Sequence, residues 1–355
     1  MPDIAFLLGG ERFGRSGNCE AGEGEKMTRI RRIARLVSSG ITAFVLLAAT
    51  GMQANADGWT EGAPMLNGRV MAASALLGDE LYVLGGDAIA GPRSDTTIFD
   101  LKGNFWRSTS AMPAGVQQAA AAALDGRVYV SGGYKSNKAH PEKSGGPSRS
   151  LWIFNPRIGT WVDGASMPAP RVGHGLVAVD DKLYAIGGKG PDAARVTAYD
   201  PAENKWSNTG AAIPAPRVEA AYVAVGNRIY VIGGLSASGN AMSRVDIFDV
   251  DKGSWSRGPD LPSPRAGHVA VVLGNAIHVL GGEQRDPPKT HGDHYVMDLD
   301  GQAGWRKSVA LPTPRHGAVA AADDGKLVVA GGSPGAGFYS VFTESDVVEI
   351  FSTAK

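Results

Sequence analysis

Six short runs decide how this chain is read: LYVLGG (81–86), VYVSGG (128–133), LYAIGG (183–188), IYVIGG (229–234), IHVLGG (277–282) and LVVAGG (327–332). Each is a stretch of branched and aromatic residues that ends in a glycine pair, and the pairs recur at spacings of 47, 55, 46, 48 and 50 residues. A fixed period near 50 indicates stacked supersecondary units. The run from Met167 to Trp206 shows what one unit contains. After the turn MPAPR come HGLVAVDD, KLYAIGG, RVTAYDP and NKWSN. These are four short apolar segments with turn residues between them, the pattern of a four-stranded antiparallel sheet.

The interval from the end of the third segment to a tryptophan is nearly constant. It is six residues for Asp100–Trp106, Asn155–Trp161, Asp200–Trp206 and Asp249–Trp255, and seven for Asp298–Trp305. LKGN, PRIG, PAEN and VDKG fill it, with Gly, Asn and Asp tolerating left-handed backbone in tight hairpins. Six such units predict an all-β fold, a six-bladed β-propeller. The last unit ends without a fourth strand or tryptophan, while Trp59 stands alone before the first. The segment around Trp59 is therefore expected to complete the sixth blade and hide its open edge.

The glycine pairs, the tyrosine four residues before the second glycine (Tyr82, Tyr129, Tyr184, Tyr230) and the later tryptophan resemble the Kelch-repeat family from Trp59 to Phe351. His278 and Val328 replace that tyrosine in the last two repeats. The pairs are expected to free the backbone at strand ends and to leave room for flat-lying aromatics. A phosphate-cradling role is excluded, because no G-x-G-x-x-G or G-K-[ST] follows and no helical period comes after.

The N-terminal segment reads as export machinery. Arg29, Arg31, Arg32 and Arg35 precede an apolar run from Gly40 to Met52, and Ala54-Asn55-Ala56 gives a small-x-small cleavage site. Residues 27–56 are expected to be a signal peptide and 57–355 the propeller, with 1–26 a non-native or disordered leader and Met27 the true start. A periplasmic or secreted location follows, without a membrane span after cleavage. Beyond residue 56 there remain 28 basic and 30 acidic residues, which argues against nucleic acid as a partner. The single cysteine, Cys19, lies in the leader, so the propeller has no disulfide and no cysteine nucleophile. The absent cysteine also removes the cross-linked copper chemistry of galactose-oxidase-like rings. No cofactor is expected, and a monomer is.

Candidate site residues come from the connections. MPAPR, IPAPR, LPSPR and LPTPR place Arg171, Arg217, Arg265 and Arg315 at matching positions, with Arg69 in LNGR and no arginine in MPAGVQQ. These form either a near-ring of guanidinium groups for a carboxylate ligand or anchors of their own proline-rich turns. Glu219 stands where matching repeats hold Gly173, Gly267 and Gly317. It is a candidate acid/base group, or a partner for Arg171 or Arg265 next door. His174, His268 and His316 follow the arginines, with His316 out of register, and are read as scaffold rather than as a shared metal site. Tyr134, Lys135 and Lys189 follow glycine pairs and are candidate ligand contacts, as is Glu283. The loop EQRDPPKTHGDH brings Glu283, Asp286, His291, Asp293 and His294 together in sequence, a weak metal set or a solvated loop. It is similar, with different spacing, to the iron site of plant Kelch specifier proteins.

The Kelch resemblance implies a protein- or carbohydrate-binding module that works through loops on one face. A second resemblance, to periplasmic sialic acid mutarotases, implies instead an enzyme that interconverts sugar anomers, with Glu219 as acid/base and Arg217 and Arg265 holding the carboxylate.

Overall fold

The structure is a computed structural model. It describes residues 58–353 apart from 138, 141–142, 300–302 and 338–341. The expected leader and signal peptide lie outside the described residues.

Six four-stranded antiparallel sheets account for the repeats. The third is Gly175–Val179, Lys182–Ile186, Arg195–Asp200 and Lys205–Ala212, in chain order across the sheet, as its sequence reads. In the sixth, Val319–Asp323, Lys326–Ala330 and Val348–Ser352 are joined by Trp59–Glu61, with Trp59 opposite Phe351 and Glu61 opposite Glu349. The first strands of consecutive sheets touch in order, and that of the sixth touches that of the first. Two small additions lie in loops: Val116–Gln117 with Tyr134–Ser136 and Ser144–Pro147, and the hairpin Glu283–Arg285 with Pro288–Thr290. Among the described residues no helix is long and apolar enough to cross a membrane.

The core is a set of layers between sheets rather than one centre. Leu81, Val83 and Phe99 of the first sheet pack on Val319, Val328 and Ile350 of the sixth. Every other neighbouring pair of sheets has its own layer of the same kind. Second strands are covered on both faces, which is why they read as continuous apolar runs instead of alternating ones. Except in the fourth sheet, where the Trp255 indole nitrogen has no hydrogen-bond partner, the tryptophans tie each sheet to the one before it. The Trp106 indole donates to Ala63 O, Trp161 to Ser110 O, Trp206 to Ala165 O and Trp305 to Pro259 O, at 2.8–2.9 Å. Trp59 does the same to Val309 O at 3.2 Å, and its ring rests on Phe351 as Trp106 rests on Phe99.

The glycine pairs all hold positive φ at the strand ends, as expected, and serve a further backbone contact. The second glycine of each pair donates its N–H to a carbonyl of the next repeat's entry loop, as Gly133 does to Arg171 O and Gly332 to Arg69 O, both at 2.8 Å. A Cβ on Gly132 would stand 2.4 Å from Arg171 O, so the residue must be glycine for the two loops to meet. Aromatic rings border that space at three pairs: His174 and His268 Cε1 lie 2.6 Å from the virtual Cβ of Gly132 and Gly233, and the Tyr222 hydroxyl 2.5 Å from that of Gly187. The pairs fasten neighbouring repeats, chiefly by backbone approach.

Candidate functional site

At the centre of one face, six residues at one repeat position form a closed cycle of backbone hydrogen bonds. Met71 N–H donates to Gly317 O, Gly317 to Gly267, Gly267 to Glu219, Glu219 to Gly173, Gly173 to Gln118 and Gln118 to Met71, at 2.7–3.0 Å. All six hold φ between 53° and 61°. Glycine takes that conformation freely, whereas Met71, Gln118 and Glu219 hold it at a steric cost. Non-glycine residues in this region gather at functional sites. Sequence reading found Glu219 and missed Met71 and Gln118. The signal was available two residues after Arg69 and Val116, but neither loop carries the full proline-arginine motif.

A shallow pocket of about 140 Å³ opens above this cycle, lined among others by Gln118, His174, Glu219 and His268. Glu219 is the only carboxylate in its wall. Its carboxylate takes both oxygens to the Arg285 guanidinium, at 2.9 and 3.2 Å. This corrects the expectation of a pair with Arg171 or Arg265. Arg285 arrives from the 283–290 hairpin, 66 residues along the chain, and also donates to Glu283 at 3.0 Å. Burial pushes the Glu219 carboxyl above its usual range; Arg285 opposes that shift and Glu283 adds to it.

The five motif arginines do not form an open ring, which corrects the ligand-binding role considered for Arg69, Arg171, Arg217, Arg265 and Arg315. Each is at most 1% exposed, and each guanidinium is occupied by the scaffold. Arg69 donates to Gly85 O and Asp95, and Arg171 to Gly187 O, Asp192 O and Arg195 O. Arg217 meets the buried Asp246 at 2.7 Å, Arg265 bonds Gly281 O and Ser263, and Arg315 meets the buried Glu349 at 2.6 Å. The arginines hold the second strand and the following loop onto the turn, so the turn-anchor alternative describes them.

The histidines divide in the same way. His174 bonds Ser131 at 2.9 Å, and burial pushes the rings of His174 and His268 down to about 3. His294 meets Trp59 edge-on and shares a hydrogen bond with His278 at 2.8 Å; burial lowers both to about 4. Among the described residues, no three of His, Cys, Asp and Glu gather to hold a metal. Glu283, Asp286, His291 and His294 are thus not brought together: Glu283 turns inward to Arg285 and the Gly337 amide, while His294 belongs to the closing layer. His291 lies 3.6 Å from Asp293.

The residue after each glycine pair bridges to its own repeat's entry loop, as Lys189 does to Val172, Glu283 to Ala266 and Tyr134 to Gln117. Tyr134, Lys189 and Glu283 therefore start loops on the same face as the central cycle. Lys135 is held over the Trp152 ring at 5.0 Å.

A family model described as the KLHDC2/KLHL20/DRC7 Kelch-repeats domain matches residues 59–234 and 219–353. The chain belongs to the Kelch-repeat family. Kelch-like protein 23 of Mus musculus is 31% identical over 202 residues, covering 56% of this chain and 34% of that protein. The F-box/kelch-repeat protein At4g39580 of Arabidopsis thaliana is 27% identical over 134 residues, covering 37% of this chain and 32% of that protein. The chain thus spans about a third of the length of these curated relatives. Among solved structures, that of YjhT superposes with a TM-score of 0.69 at 20% identity, over 81% of this chain and 95% of that one. At that identity the likeness is one of fold: this Kelch chain is an all-β propeller of antiparallel four-stranded sheets.

Proposed function

We propose that this Kelch chain is an exported recognition module that binds a protein or glycan ligand across the face bearing the central cycle and the second-to-third-strand loops. One observation carries the reading. The repeated arginines and glycine pairs are taken up inside the scaffold, while the loops around the mouth differ in length and charge. Blade two contributes the long basic excursion from Tyr134 to Ser150, and blade five the Arg285 hairpin. A rigid support with variable loop tips is the layout of a binding surface. A thermal-shift screen over peptides, oligosaccharides and acidic sugars tests it. A ligand at about a hundredfold over its dissociation constant adds about 2.7 kcal/mol to stability. A flat response across the screen goes against the reading. Export predicts a mature protein that begins at Asp57 when expressed in a bacterial host; an intact N-terminus in the cytosol contradicts it.

One observation favours a second reading. Glu219 is a partly buried carboxyl with a raised proton affinity at the mouth of a pocket, beside a guanidinium. A sugar mutarotase needs an acid/base group of that kind and a cation for the substrate carboxylate, and Arg285 takes the place considered for Arg217 and Arg265. Proton-exchange NMR of sialic acid anomers tests this reading. The wild type speeds equilibration and Glu219→Gln does not; equal rates with and without protein remove it.

A further inference from the structure

Two carboxylates meet at the mouth, and the His316 Nε2 lies 3.7 Å from one of them, Glu283. Glu219 and Glu283 face a single guanidinium, that of Arg285. The second Glu283 oxygen accepts the Gly337 amide at 2.7 Å, and the Glu283 side chain is 1% exposed. His316 adds a further acceptor. Its Nε2 lies 2.8 Å from Gly335 O and donates to it, which leaves a lone pair on Nδ1 in the neutral ring. That nitrogen is buried without a hydrogen-bond partner, on a residue 1% exposed. It lies 3.5 Å from where a Cβ on Gly267 would stand, so it faces the space that the glycine leaves open in the pocket wall. Arg285 itself is 41% exposed at a hairpin tip, the least buried member of the group. It is a cation supplied by a loop to acceptors fixed in the scaffold.

The pocket's size bears on what else enters it. At about 140 Å³ it is well below the roughly 300–1,000 Å³ of pockets that enclose whole small ligands. It admits the head of a side chain, while the surrounding loops remain free to meet the rest of a larger partner.

We propose that the mouth is a receptor for a cationic side chain, the guanidinium or ammonium of an arginine or lysine on a polypeptide partner, for which Arg285 is the resident substitute. The proposal rests on the recognition reading and narrows its ligand to a polypeptide with an exposed basic residue. An incoming guanidinium donates to both Glu219 oxygens, which Arg285 now reaches with the single nitrogen Nη2, and Arg285 swings toward solvent.

Titration calorimetry with three capped tripeptides, Gly-Arg-Gly, Gly-citrulline-Gly and Gly-Glu-Gly, tests it on the wild type, Glu219→Gln and Arg285→Ala. The arginine peptide is expected to bind the wild type at least tenfold more tightly than the citrulline peptide, which has the same shape without the charge. Glu219→Gln weakens it at least tenfold, and Arg285→Ala strengthens it several-fold by removing the competitor. Circular dichroism melts check that both variants are folded. Equal binding of citrulline, no binding of the arginine peptide at millimolar concentration, or loss of binding in Arg285→Ala overturns the proposal. Preference for the glutamate peptide, lost in Arg285→Ala, also overturns it and makes Arg285 an anion contact. A protein stabilised by a neutral or acidic ligand but indifferent to arginine keeps the recognition reading and loses this one.

Discussion

Two rings of residues, two positions apart in each repeat, behave in opposite ways. Arg69, Arg171, Arg217, Arg265 and Arg315 are alike in being buried, with their terminal guanidinium nitrogens bonded within their own repeat. Met71, Gln118, Gly173, Glu219, Gly267 and Gly317 share one backbone conformation and one hydrogen-bond cycle, yet their side chains differ and line the mouth. The first ring has the chemistry usually associated with ligand binding and uses it for architecture. The second is built of positions that favour glycine, and the residues that break the rule there are the functional candidates. In a repeat protein, chemical repetition marks load shared by every unit, and departure from it at a strained position marks use.

The largest expected effect of breaking this contrast is in the first ring. Arg217→Ala leaves Asp246, 1% exposed, with only Arg244 for a partner. Breaking a buried pair from one side costs about 3–5 kcal/mol. Urea unfolding is expected to show a loss of that order, and a loss under 1 kcal/mol would return Arg217 to the list of ligand contacts.

Acid comes next. His174 and His268 sit at about 3, and His278 and His294 at about 4, against an unfolded value near 6.5. All four are neutral in the folded protein, so their contribution is complete above pH 6.5. It is lost as pH falls toward 4, because the unfolded chain takes up protons that the folded one refuses. Glu219 has the opposite sign: its raised carboxyl favours the fold at low pH and gives that up as pH rises through its folded value. Two such groups, Glu219 and Asp87, against four histidines leave a net loss of several kcal/mol on acidification from pH 7 to 4. The denaturation midpoint is expected to fall steadily across that window, and a flat profile would contradict the burial of the histidine pair beside Trp59.

The smallest effect lies at the mouth. Arg285→Ala removes a side chain 41% exposed but takes a cation from Glu283, 1% exposed, which keeps the Gly337 amide. Its cost is expected between the about 0–1 kcal/mol of a screened pair and the about 3–5 kcal/mol of a buried one. Its melting temperature is expected to fall less than that of Arg217→Ala, and an equal fall would make Arg285 scaffold.

The scaffold was legible in the sequence because each unit repeats its own evidence. Four strands per unit, the hairpin before each tryptophan and the pairing of the Trp59 segment with the last strand all follow from spacing and turn chemistry. What the glycine pairs touch was not legible, because the next repeat's carbonyl leaves no trace in composition. Glu219 was visible as an exception to glycine, but its partner was not: Arg285 reaches it across 66 residues, from a hairpin whose direction depends on the sheet beneath. The arginines misled for a related reason. A motif gives the residue type, while burial decides whether its charge is available.

The most direct measurement compares the folding stability and ligand response of Glu219→Gly with those of the wild type. At φ 55°, glycine relieves strain and removes a partly buried carboxylate, so stability is expected to hold or rise by about 1 kcal/mol while binding at the mouth is lost. A variant that unfolds as readily as Arg217→Ala, or that keeps full ligand response, would show that the departure from glycine at this position is structural or idle, and would contradict the account.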